Sequence, residues 1–318
     1  MKVQLFYLVL SLSLLSPCVR AQSELEHGLE FFNKGKYSEA KDVFENLLAQ
    51  SNYNAEANYY LGLIYLRFEG DVDKAIECIE KAVEVDPANA KYHLNLSSAL
   101  GAKAMQSNVI KQALLAPRIK SELEKAVELD PNNPDARTGL MQFYVMAPGI
   151  MGGSINKAKL QAEALLKLNT YRGYMAYAMI YNQEDDQIAA EEYYKKAISV
   201  DPKKPAPYHQ LGYLYLKQKR YPEAIQHFKK MVEYDPDNAN SYDSLGDGYL
   251  ANDQLDEALE SYRKAIATDP KFAPSVFNVA KCCEKKNMKQ EAKDHYRRYL
   301  ALVPSGSQAD EARTKLKE

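Results

Sequence analysis

The side chains best suited to chemistry near neutral pH are five histidines, at positions 27, 93, 209, 227 and 295, since imidazole changes charge there and also ligates metals. None belongs to an HExxH pair, and the chain holds neither a Gly-x-Ser-x-Gly elbow nor a Gly-rich loop ending in Gly-Lys-Ser or Gly-Lys-Thr. Zinc-assisted hydrolysis, acyl transfer through a nucleophile elbow and P-loop phosphoryl transfer therefore lack their sequence marks. Cys78, Cys282 and Cys283 have no CxxC spacing and are too few for a disulfide framework. They read as small buried hydrophobes. The acidic run Glu184-Asp185-Asp186 reads as a solvated turn with no metal. One polar set could still converge: a hydrolase drawn from separate segments would use His209, Tyr213 and Asp243. That reading stays as an alternative, and the expectation is a protein that is not an enzyme and holds no metal or cofactor.

Those residues ride on a motif that returns every 34 positions. Tyr208, Leu211, Gly212, Tyr215, Ala224, Phe228 and Pro236 recur as Tyr242, Leu245, Gly246, Tyr249, Ala258, Tyr262 and Pro270. Small residues at fixed offsets let helices approach closely, and aromatics fill the space that remains. Asp-Pro pairs beginning at 86, 130, 201, 235 and 269 stop helices, because proline cannot continue the hydrogen-bond ladder and biases its predecessor out of helical geometry. The pattern resembles the tetratricopeptide repeat family over nearly the whole chain. That resemblance implies an all-α, right-handed solenoid of about eight helix pairs that binds peptides or proteins. The register places repeats near 21–54, 55–89, 90–133, 134–170, 171–204, 205–238, 239–272 and 273–306, an array over 22–306 with one extra residue in the second repeat. A polar capping helix follows over 307–318, with Ser307 as its N-cap. His227 and His295 fall in one slot of the outer helix and are expected at the solvated surface.

Two surfaces are candidates for binding. Positions 5 and 9 of each first helix face inward in this architecture, giving a groove of Tyr59 and Leu63, Leu94, Met175 and Met179, His209 and Tyr213, and Phe277. Tyrosine, leucine and methionine there suit an apolar or amphipathic segment; alternatively the superhelix buries them against its own neighbours. The other candidate comes from insertions at the turns of repeats three and four, within 101–120 and "YVMAPGIMGGSINKA". Consecutive turns share one edge, which brings together Met105, Leu114, Leu115, Pro148, Ile150 and Met151 beside a Gly152-Gly153 turn whose glycines permit positive φ. Insertions on one face often mark a binding face. The alternative has the first insertion prolonging both helices, with Pro117 starting the second, while 148–153 folds beneath as local packing.

Chaperone-docking members of the family grip acidic tails with a carboxylate clamp of Lys, Asn and Arg on successive first helices. The matching positions of the last repeats hold His209, Tyr213, Ser244, Pro274 and Asn278, so the resemblance does not extend to that clamp. A net charge of −2, from 41 basic and 43 acidic residues, gives no global attraction to nucleic acid or to an anionic surface. At the N-terminus, Lys2, the apolar run Val3 to Leu15 and Val19-Arg20-Ala21 have the order of a secretory signal peptide over 1–21, cut after Ala21. The run is short for a bilayer span, which takes about 20 apolar residues. Cys18 as a lipid anchor is the minor reading, since Pro17 precedes it. The resemblance of the fourth repeat to bacterial envelope tetratricopeptide proteins points to an exported protein, periplasmic or secreted. The expected function is a scaffold or adaptor for a protein or peptide, with a small ligand or glycan in the aromatic groove as another alternative.

Overall fold

Asparagine starts many of the helices. Asn54, Asn89, Asn108, Asn133, Asn169 and Asn238 each precede a helix with extended backbone and accept a hydrogen bond from its first turn through the side-chain oxygen, satisfying amides that have no partner inside the helix. Aspartate ends several second helices. Asp86, Asp130, Asp201, Asp235 and Asp269 follow second helices with φ between −142° and −133° and ψ between 63° and 103°, out of helical geometry as a following proline requires. The carboxylates of Asp86, Asp130, Asp201 and Asp269 also accept from the amide two residues on, an Asx turn that fixes the exit.

The computed structural model describes residues 17–50 and 54–317, with side chains from residue 21. Of the expected leader over 1–21, residues 1–16 lie outside the described residues, and Cys18 and Arg20 lie outside those whose side chains are described. Two compact units divide the chain, one ending at Leu168 and the other beginning at Asn169. The first pairs α1 (Pro17–Asn33) with α2 (Tyr37–Gln50), α3 (Ala55–Ile64) with α4 (Val72–Val85), α5 (Ala90–Met105) with α6 (Val109–Leu129), and α7 (Pro134–Met146) with α8 (Ile155–Leu168). The second pairs α9 (Thr170–Gln183) with α10 (Gln187–Val200), α11 (Pro205–Lys217) with α12 (Tyr221–Tyr234), α13 (Ala239–Ala251) with α14 (Leu255–Thr268), and α15 (Ala273–Lys285) with α16 (Lys289–Leu302), and ends in α17 (Ser307–Lys317). No strand occurs among the described residues. Within each unit the second helix of one pair packs on the first helix of the next, so each unit is a solenoid of helix pairs.

The periodic residues do the packing. A Cβ on Gly28, Gly62, Gly212 or Gly246 would lie 2.3–2.6 Å from Phe44, Ile79, Phe228 or Tyr262 on the partner helix, closer than any real side chain tolerates, so glycine sets the distance within each pair. Ala75, Ala82, Ala190, Ala197, Ala258 and Ala265 are wholly buried for the same reason. The tyrosine of the motif carries a second function: the hydroxyls of Tyr65, Tyr144 and Tyr215 donate to Glu45, Glu124 and Glu191 on the preceding pair at 2.7–2.9 Å. Their rings fill the core while the polar tip ties neighbouring repeats.

The structure locates one local expectation and corrects three. The extra residue of the second repeat is absorbed as a π-helical turn, Tyr65–Glu69, closed by Gly70 at φ 71°. Pro117 does not start a helix but lies inside α6, which begins at Val109 behind the Asn108 cap; strong helix formers on either side carry the helix across one missing hydrogen bond. Of the paired glycines, Gly152 has positive φ at 97°, whereas Gly153 is required by space, since a Cβ there would lie 1.7 Å from the Ala147 carbonyl oxygen. Ser307 is the first residue of α17, and Gly306, whose carbonyl accepts from the Asp310 amide at 3.0 Å, takes the cap position.

Candidate functional site

In the first unit, a cavity of about 1080 Å³ opens between first helices α3, α5 and α7 and is closed on one side by α6. The close approach set by the periodic glycines positions the walls, and the long third repeat deepens them. Tyr59, Leu63 and Leu94 of the expected groove and Met105, Pro148 and Met151 of the expected edge line this one space. Tyr59 and Leu63 are themselves buried, at 2% and 4% exposure. They form its wall as packed side chains.

The cavity is polar at one end and apolar at the other. At the α3 end, Asn95 donates through Nδ2 to the Tyr59 hydroxyl at 3.1 Å and to the Lys91 carbonyl at 2.8 Å. The Lys91 ammonium lies 4.6 Å and 5.1 Å from the ring centres of Tyr59 and Tyr60, a cation–π contact that holds the charge over the rim. Arg67, carried there by the π-helical turn, lines the same end. Burial pushes the Tyr59 hydroxyl well above its usual range, which keeps it neutral. At the other end the walls are Ile119, Phe143, Met146 and Met151, with exposed Ser98 and Gln142 between the two ends. Such a space can take an apolar body with one polar or anionic end.

The remaining edge residues separate. Leu114 and Ile150 project into solvent, at 74% and 95% exposure, whereas Leu115 packs inward against the core of Ile79, Leu96, Ala99 and Leu100. Gly152 faces the aliphatic stem of Lys120.

In the second unit, Met175 and Met179 are half-buried, with Met175 packed on the core around Tyr194 and Leu211. Phe277 is a core residue, not a groove surface: it is 2% exposed and sits between Tyr296 and Tyr299 at ring distances of 5.7 Å and 5.0 Å. His209 and Tyr213 meet edge to face at 4.9 Å. Beside them two carboxylates stand on successive turns of α13. Asp243 accepts from the Ser275 hydroxyl at 2.6 Å and the Asn278 amide at 3.3 Å; Asp247 accepts from the Tyr213 and Tyr262 hydroxyls, each at 2.8 Å. All four donors are neutral. Burial raises both carboxyls, Asp243 to about 6, and lowers the His209 imidazole. The set expected for a hydrolase is thus engaged in bracing three successive repeats, with the Asp243 oxygen occupied by its two donors.

His227 and His295 are half-buried rather than fully solvated. His227 lies with Nδ1 2.9 Å from the Glu223 carbonyl and its ring 5.1 Å from that of Tyr215; the His295 side chain is 19% exposed. Burial lowers both imidazoles, because the slot faces a neighbouring helix rather than water. Asn95, Arg67 and Phe143 were not among the sequence candidates. Asn95 carried a signal, as an amide one residue past groove position 5.

Sequence profiles described as tetratricopeptide repeat match residues 31–100, 171–204, 204–271 and 244–307. Mouse tetratricopeptide repeat protein 21B is 32% identical over 137 residues, covering 42% of this chain and 10% of that protein. Among solved structures, a tetratricopeptide repeat protein from Parabacteroides merdae superposes with a TM-score of 0.63 at 16% identity, over 78% of this chain and 93% of that one. The APC/C hetero-tetramer Cut9-Hcn1 gives a TM-score of 0.55 at 16% identity, over 89% of this chain and 53% of that chain. The chain thus spans a tenth of the mouse relative and about half of the Cut9-Hcn1 chain, and at this identity the structural likeness concerns fold alone.

Proposed function

The chain belongs to the tetratricopeptide repeat family, and on that premise we propose that it is a non-catalytic scaffold holding an apolar or amphipathic protein segment in the cavity of the first unit. The observation that carries this reading is the joining of inward-facing helix residues and insertion residues around one space of about 1080 Å³. Methionine and aromatic walls adapt to and anchor an extended or helical segment, while Arg67 and Lys91 favour an acidic group at the α3 end. The proposal places the scaffold outside the cytoplasm, in a bacterial envelope, supported by the charged start, apolar run and small-residue site of the first 21 residues.

Putting charge on the cavity wall tests the reading. Ser98→Glu with Gln142→Glu changes two exposed positions, so the fold should stand, but each carboxylate would be desolvated by an apolar occupant. Partner recovery after crosslinking in envelope extracts is expected to fall about tenfold or more. Unchanged recovery would remove the cavity as the binding surface, and a melting-temperature rise with cell-wall fragments but not with peptides would favour a small ligand or glycan instead.

A further inference from the structure

The net charge of −2 conceals a local separation. Residues 87–121 and 136–162 contain eight Lys and Arg and not one Asp or Glu, in a chain with 43 acidic residues. These stretches are α5, the first half of α6, most of α7 with its loop, and the start of α8, so both belong to the first unit. Some of its cations are paired from α4: Lys103 with Asp73 and Arg118 with Glu80. Lys111 and Lys157 are exposed.

The same region carries apolar side chains that no neighbour covers. α5 and α6 run 16 and 21 residues, against 13 and 14 for α7 and α8. Their connected ends project, leaving Met105, Val109, Ile110 and Leu114 between 70% and 87% exposed. Met146 and Ile150 are 72% and 95% exposed, in the segment that shares a cavity wall with Met105. These are single projecting side chains with lysine among them, not a concave seat, and Lys111 falls between Ile110 and Leu114 on the same turn of helix. Apolar points that enter the acyl boundary while cations meet headgroups are how an interfacial element holds a bilayer.

We propose that the projecting α5–α6 tip, with the Ile150 loop, is a peripheral docking surface for an anionic lipid bilayer. Met105 and Met146 also line the cavity, so the docking is carried by the projecting residues that do not. Ile110, Leu114, Ile150, Lys111 and Lys157 are not among its lining residues, so scaffold and lipid contact can fail separately. No described helix is long and apolar enough to cross a membrane, and this contact needs none.

Co-sedimentation of the full chain with vesicles of phosphatidylcholine, alone or doped with phosphatidylglycerol, tests the proposal. The doped vesicles are expected to take up about tenfold more protein at low salt, an excess that high salt removes. Either Ile110→Ser/Leu114→Ser/Ile150→Ser or Lys111→Glu/Lys157→Glu should abolish the excess, whereas Ile188→Ser, 84% exposed in the second unit, should leave it intact. The apolar run at Val3 to Leu15 is common to every variant and drops out of the comparison. The proposal is overturned if the triple variant partitions like the wild type, or if doped and neutral vesicles bind alike. Saturable capture of an acidic, apolar peptide by the tip without the vesicle preference would overturn it in favour of a protein contact.

Discussion

Truncating Phe228 to alanine is expected to cost the second unit about 3–5 kcal/mol of unfolding free energy, the range for core aromatics. The ring is wholly buried and lies between two glycines. A Cβ on Gly212, in its own pair, would come within 2.3 Å of it, and one on Gly248, in the next pair, within 3.0 Å. Neither glycine has a side chain that could relax into the space the ring leaves, so the site collapses poorly. A second mutation separates this account from a general loss of hydrophobic area. Gly212→Ala alone should destabilise by about 1–3 kcal/mol through overpacking. In the Phe228→Ala background the new methyl enters an empty space and adds helix propensity, so Gly212→Ala should there be neutral or stabilising by up to about 1 kcal/mol. Urea unfolding of the four proteins measures the coupling; additive losses would show that the glycine does not set the spacing.

The second large effect concerns Asp243. Its two hydrogen-bond donors are uncharged, Asp247 lies one turn away, and burial raises its carboxyl from 3.8 to about 6. The native state therefore holds this proton more tightly than the unfolded chain does. The stability tied to the group is fully present below its unfolded value, near pH 4, and is lost as pH rises through 6. At neutral pH the ionised carboxylate costs the fold roughly 2–3 kcal/mol. Asp243→Asn keeps an oxygen for Ser275 and Asn278 and removes the charge, so it should stabilise the protein by about that amount at pH 7 and by little at pH 4. The half-buried His209, His227 and His295, whose imidazoles burial lowers, titrate in the opposite sense, but they are present in both proteins and largely cancel in the difference. Unfolding midpoints that differ equally at the two pH values would refute the assignment.

Much of the scaffold was legible because packing writes itself into spacing. Gly212 opposite Phe228 and Gly246 opposite Tyr262 are the same contact 34 residues apart, and the aspartates before proline mark helix ends that the backbone angles bear out. What escaped was set by three-dimensional neighbours. Pro117 reads as a helix start until the Asn108 cap nine residues upstream is weighed. His227 reads as surface until the tyrosine of α11 is placed beside it. The cavity was only half visible: Tyr59, Leu94, Met105 and Met151 were singled out as two surfaces, and nothing in their spacing joins the two. Arg67 reaches the rim only because an extra residue is absorbed as a π-helical turn, a choice that sequence periodicity does not encode. The acidic pair was also half visible. Asp243 stood out beside His209, but its burial and neutral donors follow from the pairs packed on either side.

The central claim is that a partner segment occupies the cavity of the first unit, and the most direct measurement is site-specific photo-crosslinking with mass-spectrometric mapping of the captured peptide. A crosslinking residue at Gln142 or at Ser98, which line the cavity from α7 and α5, should capture one and the same partner segment, and the same residue at Ile188 in the second unit should not. Different peptides from the two walls, or equal capture at Ile188, would contradict the account.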